Sequence, residues 1–157
     1  MNGYISFDDV TTSSISPSNN YFIAPFAHDL DTTKSGAIYY RLINDSQSLK
    51  QIGQEINPSK YSNTVDFMPS NALIVTWDSV APFNNSISGV ASFQVILSTD
   101  GSNSFLTINY GSLGFSAYYG YFFQYGSTKF TLTNPKYSSN VGVNGKWIFS
   151  IRMLLII

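Results

Sequence analysis

The stretch APFAHDLDTTKSGAIYYR, residues 24–41, gathers the side chains best suited to chemistry. It holds the single histidine of the chain, His28, and two aspartates, Asp29 and Asp31, just ahead of Gly36. A histidine beside a carboxylate can act as a general base when a nucleophile lies within hydrogen-bond reach. The chain has no G-x-S-x-G elbow to supply one. Asp29, Asp31 and Thr33 also have the i, i+2, i+4 spacing of oxygen ligands for calcium. An EF-hand loop adds a third Asp or Asn, a glycine at a set position and a terminal bidentate glutamate. None of these follows here. The plainer reading is a turn in which Asp31, Thr32 and Thr33 accept main-chain N–H bonds and Gly36 leads into a strand. His28 is then expected to be solvated or to cap that turn. We expect no catalytic residue and no cofactor, with Asp29 and Asp31 as the candidates should calcium bind.

A second concentration is GFSAYYGYFFQYG, residues 114–126. Tyr118, Tyr119, Tyr121 and Tyr125 are candidate stacking platforms for sugars if they are exposed. If buried, they are ordinary core and cross-strand pairs, the reading we favour. Two N-glycosylation sequons stand beside expected loops, Asn44-Asp45-Ser46 and Asn84-Asn85-Ser86. No phosphate-binding loop, H-E-x-x-H helix or paired-carboxylate site is present.

These groups must be held by strands. Charged residues are 11% of the 157, against about 25% in an average globular protein, while 43% are hydrophobic. Ser, Thr and Asn suit turns, and Tyr, Phe, Val and Ile suit strands. Short alternating runs recur: GYISF, NYFIAPF, GAIYYRLI, NALIVTW, ASFQVILS, SFLTINYG, STKFTLT and GKWIFSIRM. Asp100-Gly101 predicts a hairpin joining the strands near 91–98 and 104–110, and Asn144-Gly145 predicts a second tight turn. Asp66, Asp78 and Asp100 fall at expected strand ends, and Trp77 and Trp147 are expected to be mostly buried.

One segment has helical spacing: Leu49, Ile52 and Ile56 follow Asp45 or Ser46 as N-cap, and Pro58 makes Asn57 a stop. Gly53 weakens that helix by about 1 kcal/mol. The expected fold is mostly β, a single antiparallel β-sandwich-like domain with one short helix at about 46–56.

Net charge is −1 with the eight Lys and Arg scattered, so nucleic acid is not an expected partner. No cysteine is present, which removes disulfides, thiolate metal sites and a Cys nucleophile. The first ten residues, MNGYISFDDV, do not read as a signal peptide. The apolar tail 153–157 is far too short to span a bilayer and reads as a truncation point. The expected organisation is an N-terminal strand and Ser/Thr-rich linker over 1–19, a domain over 20–152, and the tail.

Several separated blocks carry a resemblance. FIAPFAHDLDTTKSGAIYYRLI, then ALIVTWDSV, then ASFQVILSTDGSNSFLTINYGSL, and the ending SNVGVNGKWIFSI are similar to successive blocks of the NIDO domain. That family is the extracellular module of nidogen, alpha-tectorin and related matrix and mucin-like proteins. Ala27-His28 stands where the family commonly has Trp before its acidic pair. The resemblance implies a secreted, non-enzymatic glycoprotein module for cell–matrix adhesion or matrix assembly within a larger modular protein. It implies extracellular matrix or cell-surface proteins as partners and no membrane insertion by this segment. It also implies that Asp29–Asp31 is a structural turn. A carbohydrate-binding β-sandwich module using the exposed tyrosines is the alternative.

Overall fold

Alternation of apolar and polar residues sets most of the strands. A computed structural model describes residues 3–7, 21–57, 66–125 and 128–151, with Tyr125 described by its backbone alone. The linker 11–20, Pro58, Arg152 and the tail 153–157 lie outside the described residues. In chain order the elements are β1 (Ile5–Ser6), β2 (Phe22–Ala24), β3 (Leu30–Asp31), β4 (Ala37–Ile43), α1 (Ser46–Ile56) and β5 (Asn71–Pro82). They continue as β6 (Ala91–Thr99), β7 (Ser104–Leu113), β8 (Phe122–Tyr125), β9 (Thr128–Thr131) and β10 (Lys146–Ile151). One sheet has the order β1-β2-β8-β9. The other runs β10-β7-β6-β5-β3, with β4 also paired to β5. Every pairing is antiparallel. The short strands β3 and β8 are additions to the sequence expectation.

The central strands β5, β6 and β7 carry apolar residues on both faces, so the larger sheet is covered twice. On one face Val75, Trp77, Phe93, Val95, Leu106 and Ile108 meet Ile23 and Phe123 of the smaller sheet. On the other, Leu49, Ile52 and Ile56 of α1 pack with Ala72, Ile96, Phe105 and Ile148. The result is a helix, a large sheet and a small sheet in three layers. Burial stabilises each of the three helix side chains by about 1.5–3 kcal/mol, which outweighs the helical cost of Gly53. The glycine has its own reason: a Cβ there would lie 2.7 Å from the Phe67 carbonyl oxygen. Asp45 caps the helix by accepting the Ser48 N–H at 2.8 Å. Asn57, at the other end, accepts the Phe67 N–H at 2.7 Å and donates to the Phe67 carbonyl at 3.2 Å.

The Asp100-Gly101 hairpin joins β6 to β7 as expected, with the Asp100 carboxylate accepting from Ser102 and Asn103 N–H groups at 2.8 and 2.6 Å. One expectation changes. The strand that starts at Asn71 runs on to Pro82 through a bulge at Asp78 and Ser79, so Asp78 does not end it. Ile38, Tyr40 and Leu42 share one face of β4, and Tyr40 and Leu42 are exposed. Trp77 is buried and Trp147 part-buried, as expected, and Trp147 donates Nε1–H to the Pro135 carbonyl at 2.9 Å.

Candidate functional site

Tertiary structure brings the two chemically suggestive stretches together. The Ala27 N–H donates to the Gly120 carbonyl at 3.0 Å, and the Tyr119 N–H donates to the Ala27 carbonyl at 2.9 Å. The Tyr118 N–H donates to His28 Nδ1 at 3.0 Å. His28 is thus neither solvated nor a cap of its own turn. It is 6% exposed, with its ring 5.0 Å from that of Phe115 and 5.9 Å from that of Phe26. The Tyr110 hydroxyl, reaching from β7, donates to the Pro25 carbonyl at 2.7 Å and fixes the same stretch from beneath. Tyr121 completes the loop: its hydroxyl accepts the Ala117 N–H at 3.2 Å, and its ring packs edge-on against Phe26.

This anchoring leaves Tyr118 and Tyr119 outside, 79% and 64% exposed, with ring centroids 4.8 Å apart and planes at 83°. The core reading of the aromatic stretch therefore holds for Tyr121, Phe122 and Phe123 but not for these two. The Tyr125 side chain lies outside the described residues. Beside the loop is a cleft of about 250 Å³ lined by Phe115, Ser116 and Tyr121 on one side and Asn134, Lys136 and Tyr137 on the other. Sequence reading passed over the second wall, although Asn134-Pro135 marked a turn.

The chemistry of His28 follows from its place. Burial pulls its pKa below the ordinary value near 6.5, partly offset by the charge of Asp29. A neutral ring with a free Nδ1 lone pair is what the Tyr118 N–H requires, and protonation removes that acceptor. Because the unfolded chain binds the proton more readily, this contribution to stability is complete above pH ~6.5 and is lost as pH falls through the folded-state value. We expect the Tm difference between the protein and its His28→Gln variant to shrink between pH 7.5 and pH 5. A pH-independent difference would contradict the neutral-acceptor assignment.

Asp29 is exposed, and its carbonyl accepts the Phe83 N–H at 2.9 Å. Asp31 Oδ1 accepts from the Thr33 hydroxyl at 2.6 Å and from the Thr33 N–H at 2.9 Å. Those bonds, the hydroxyl's first, hold the Asp31 carboxyl below the usual carboxylate range. Lys34 lies 4.0 Å from Asp31 Oδ2 and donates to the Pro82 and Phe83 carbonyls, which ties the turn to the end of β5. Among the described residues no group of three or more His, Cys, Asp or Glu stands where it could hold a metal ion. Asn44 and Asn84, the sequon residues, are both exposed. Among the described residues no helix is long and apolar enough to cross a membrane.

The turn, the His28 anchor and the aromatic loop up to Tyr121 all fall inside the span, residues 1–121, that matches the sequence profile of the Nidogen-like domain, NIDO. The chain belongs to the Nidogen-like domain family. It is 29% identical to alpha-tectorin of Gallus gallus over 96% of this chain and 8% of that protein. It is 27% identical to Dendrite extension defective protein 1 of Caenorhabditis elegans, over 99% of this chain and 15% of that protein. Nidogen-1 of Homo sapiens is 29% identical over 82% of this chain and 13% of its own length. The chain therefore spans a small part of these three relatives. No solved structure matches it. Membership of this family supports an extracellular matrix module, an extracellular location and a non-enzymatic role.

Proposed function

We propose that this Nidogen-like domain serves cell–matrix adhesion or matrix assembly within a larger modular protein, meeting matrix or cell-surface proteins through Tyr118 and Tyr119. The observation that carries this reading is two adjacent exposed tyrosine rings on a loop held by main-chain bonds and by His28. Tyrosine is enriched among the residues that dominate binding energy, because it offers large area at small conformational cost. A loop already ordered loses less entropy on binding. The side chains that could do catalysis are engaged in holding the fold: His28 accepts an N–H and Asp31 closes a turn.

The test is binding of the purified chain to immobilised basement-membrane extract. Replacing both Tyr118 and Tyr119 by alanine is expected to weaken binding by at least ~30-fold, the equivalent of one hot spot of about 2 kcal/mol. Tm should stay within about a degree, because exposed side chains contribute little to stability. Undiminished binding by that variant would rule the loop out. A second reading, sugar recognition, draws on the same exposure and on the cleft beside Tyr137. Its rings are perpendicular, so one sugar face can stack on only one of them. Binding that survives protease digestion of the extract would favour it.

A further inference from the structure

We infer that β4 is an interface for a second copy of this chain, pairing antiparallel with its symmetry mate about Tyr40 so that the larger sheet continues across a dimer. This goes beyond the loop reading and does not depend on it. β4 pairs with β5 on one side over its full length, and among the described residues no strand pairs with its other side. A free edge displays a row of unpaired N–H and C=O groups, and natural edges are blunted by lysine, proline, bulges or shortness. β4 has no lysine, proline or bulge and a single charge, Arg41: it is seven residues, AIYYRLI, paired to β5 without a register shift. Instead it displays Tyr39, Tyr40 and Leu42 at 60%, 78% and 62% exposure.

The occupant follows from the pattern. Ile38, Tyr40 and Leu42 stand opposite Trp77, Val75 and Leu73, so they lie on the sandwich side of the sheet. Tyr39, Arg41 and Ile43 lie on the helix side, where Ile43 joins the helix-side core. A twofold axis normal to the sheet keeps each face in register only when it passes beside a residue. Tyr40 is the midpoint of Ala37–Ile43, so this centre alone pairs all seven residues with their mates. It sets Tyr40 against Tyr40 and Ile38 of each copy against Leu42 of the other, an apolar strip on one face. On the opposite face Tyr39 of each copy meets Arg41 of the other, a cation over an aromatic ring made twice. Shifting the centre to Arg41 puts like charges directly opposite. Shifting it to Tyr39 leaves Arg41 against Ala37 and removes both cation–ring pairs. The strand is complementary to itself in one register.

The test uses the full chain produced without glycans, because Asn44 immediately follows the strand. Sedimentation equilibrium over roughly 1–100 µM should show a monomer–dimer equilibrium, the range in which weak specific pairing registers. Tyr40→Lys, which places two ammonium groups face to face, should raise the dimer Kd at least ~10-fold. The chain has no cysteine, so Tyr40→Cys adds its only thiol. Directly opposed residues in an antiparallel pair have Cα atoms about 4.5–5.5 Å apart, within disulfide range. Tyr40→Cys should therefore cross-link in a glutathione redox buffer far faster than Val143→Cys, whose site is also exposed. A monomer across the whole range, a dimer that Tyr40→Lys leaves intact, or equal cross-linking at the two sites would each overturn the inference.

Discussion

Replacing Phe26 by alanine is expected to lower the stability of this domain by about 3–5 kcal/mol, the range for deleting a fully buried aromatic side chain. Phe26 is 0% exposed. Its ring stacks on Phe93 at 5.3 Å, and Phe93 in turn stacks on Trp77 at 4.7 Å. The same ring meets Phe115 edge-on at 5.1 Å and Tyr121 at 5.7 Å. It therefore joins the sandwich core to the loop that carries Tyr118 and Tyr119. Its loss leaves a cavity walled by Phe93 of β6 and by Phe115 and Tyr121 of the loop between β7 and β8, whose separate attachments limit collapse. Against a total stability of about 5–15 kcal/mol, the loss is a large fraction. At about 2–4 °C per kcal/mol for a chain of this size, Tm should fall by roughly 6–20 °C. Urea unfolding measures the change directly. A loss below about 1.5 kcal/mol, the range of volume-conserving swaps, would mean that the site repacks and that Phe26 does not couple core to loop.

The second large effect is expected at Gly36, the residue that launches β4. Its φ is +76°, a region that costs an L-residue about 1–2 kcal/mol. A Cβ built there would also lie 2.2 Å from the Asp78 carbonyl oxygen and 2.4 Å from that of Ser79. Both carbonyls belong to the bulge of β5, whose shape is held from the other side by the Ser92 hydroxyl accepting the Ser79 N–H at 2.9 Å. The Ser35 hydroxyl donates to the Ser79 carbonyl at 2.9 Å, so turn and bulge are already fastened and neither can yield alone. Gly36→Ala should cost about 2–3 kcal/mol or more. Asp31→Ala removes a part-buried carboxylate from the start of the same turn, and the Thr33 N–H it leaves, on an exposed residue, can turn to water. It should lower Tm by only a few degrees. Parallel thermal melts decide this: if Gly36→Ala melts as high as Asp31→Ala, the bulge relaxes and the close approach is not a constraint.

Much of the frame could be read from residues near one another in the chain. Asp45 caps α1 through Ser48, three residues on, and Asp100 organises its hairpin through Ser102 and Asn103. These bonds are local, so residue type and spacing suffice to foresee them. The period-2 runs likewise mark β4, β5, β6, β7 and β10, since a half-buried strand needs that alternation whatever it pairs with. The strands β3 and β8 were not legible in the same way. Leu30–Asp31 is too short for a pattern, and Phe122–Tyr125 sits in an unbroken aromatic run; both are strands because of what they pair with.

By itself, then, the sequence determined the class: many alternating strands, one capped helix and several blocks similar to a known extracellular module. It also settled the chemistry of the turns, because Asp, Asn and Gly act on backbone two or three residues away. Tertiary structure decided the rest. His28 became a buried anchor because its partner, the Tyr118 N–H, arrives from ninety residues further along the chain. Gly53 proved necessary because Phe67 crosses the helix there. Tyr118 and Tyr119 lie exposed while Tyr121 is part-buried, and Tyr40 lies exposed while Val75, its cross-strand neighbour, is buried. Exposure depends on where a second layer ends, and that boundary is set by the packing of distant segments rather than by any period in the residues themselves.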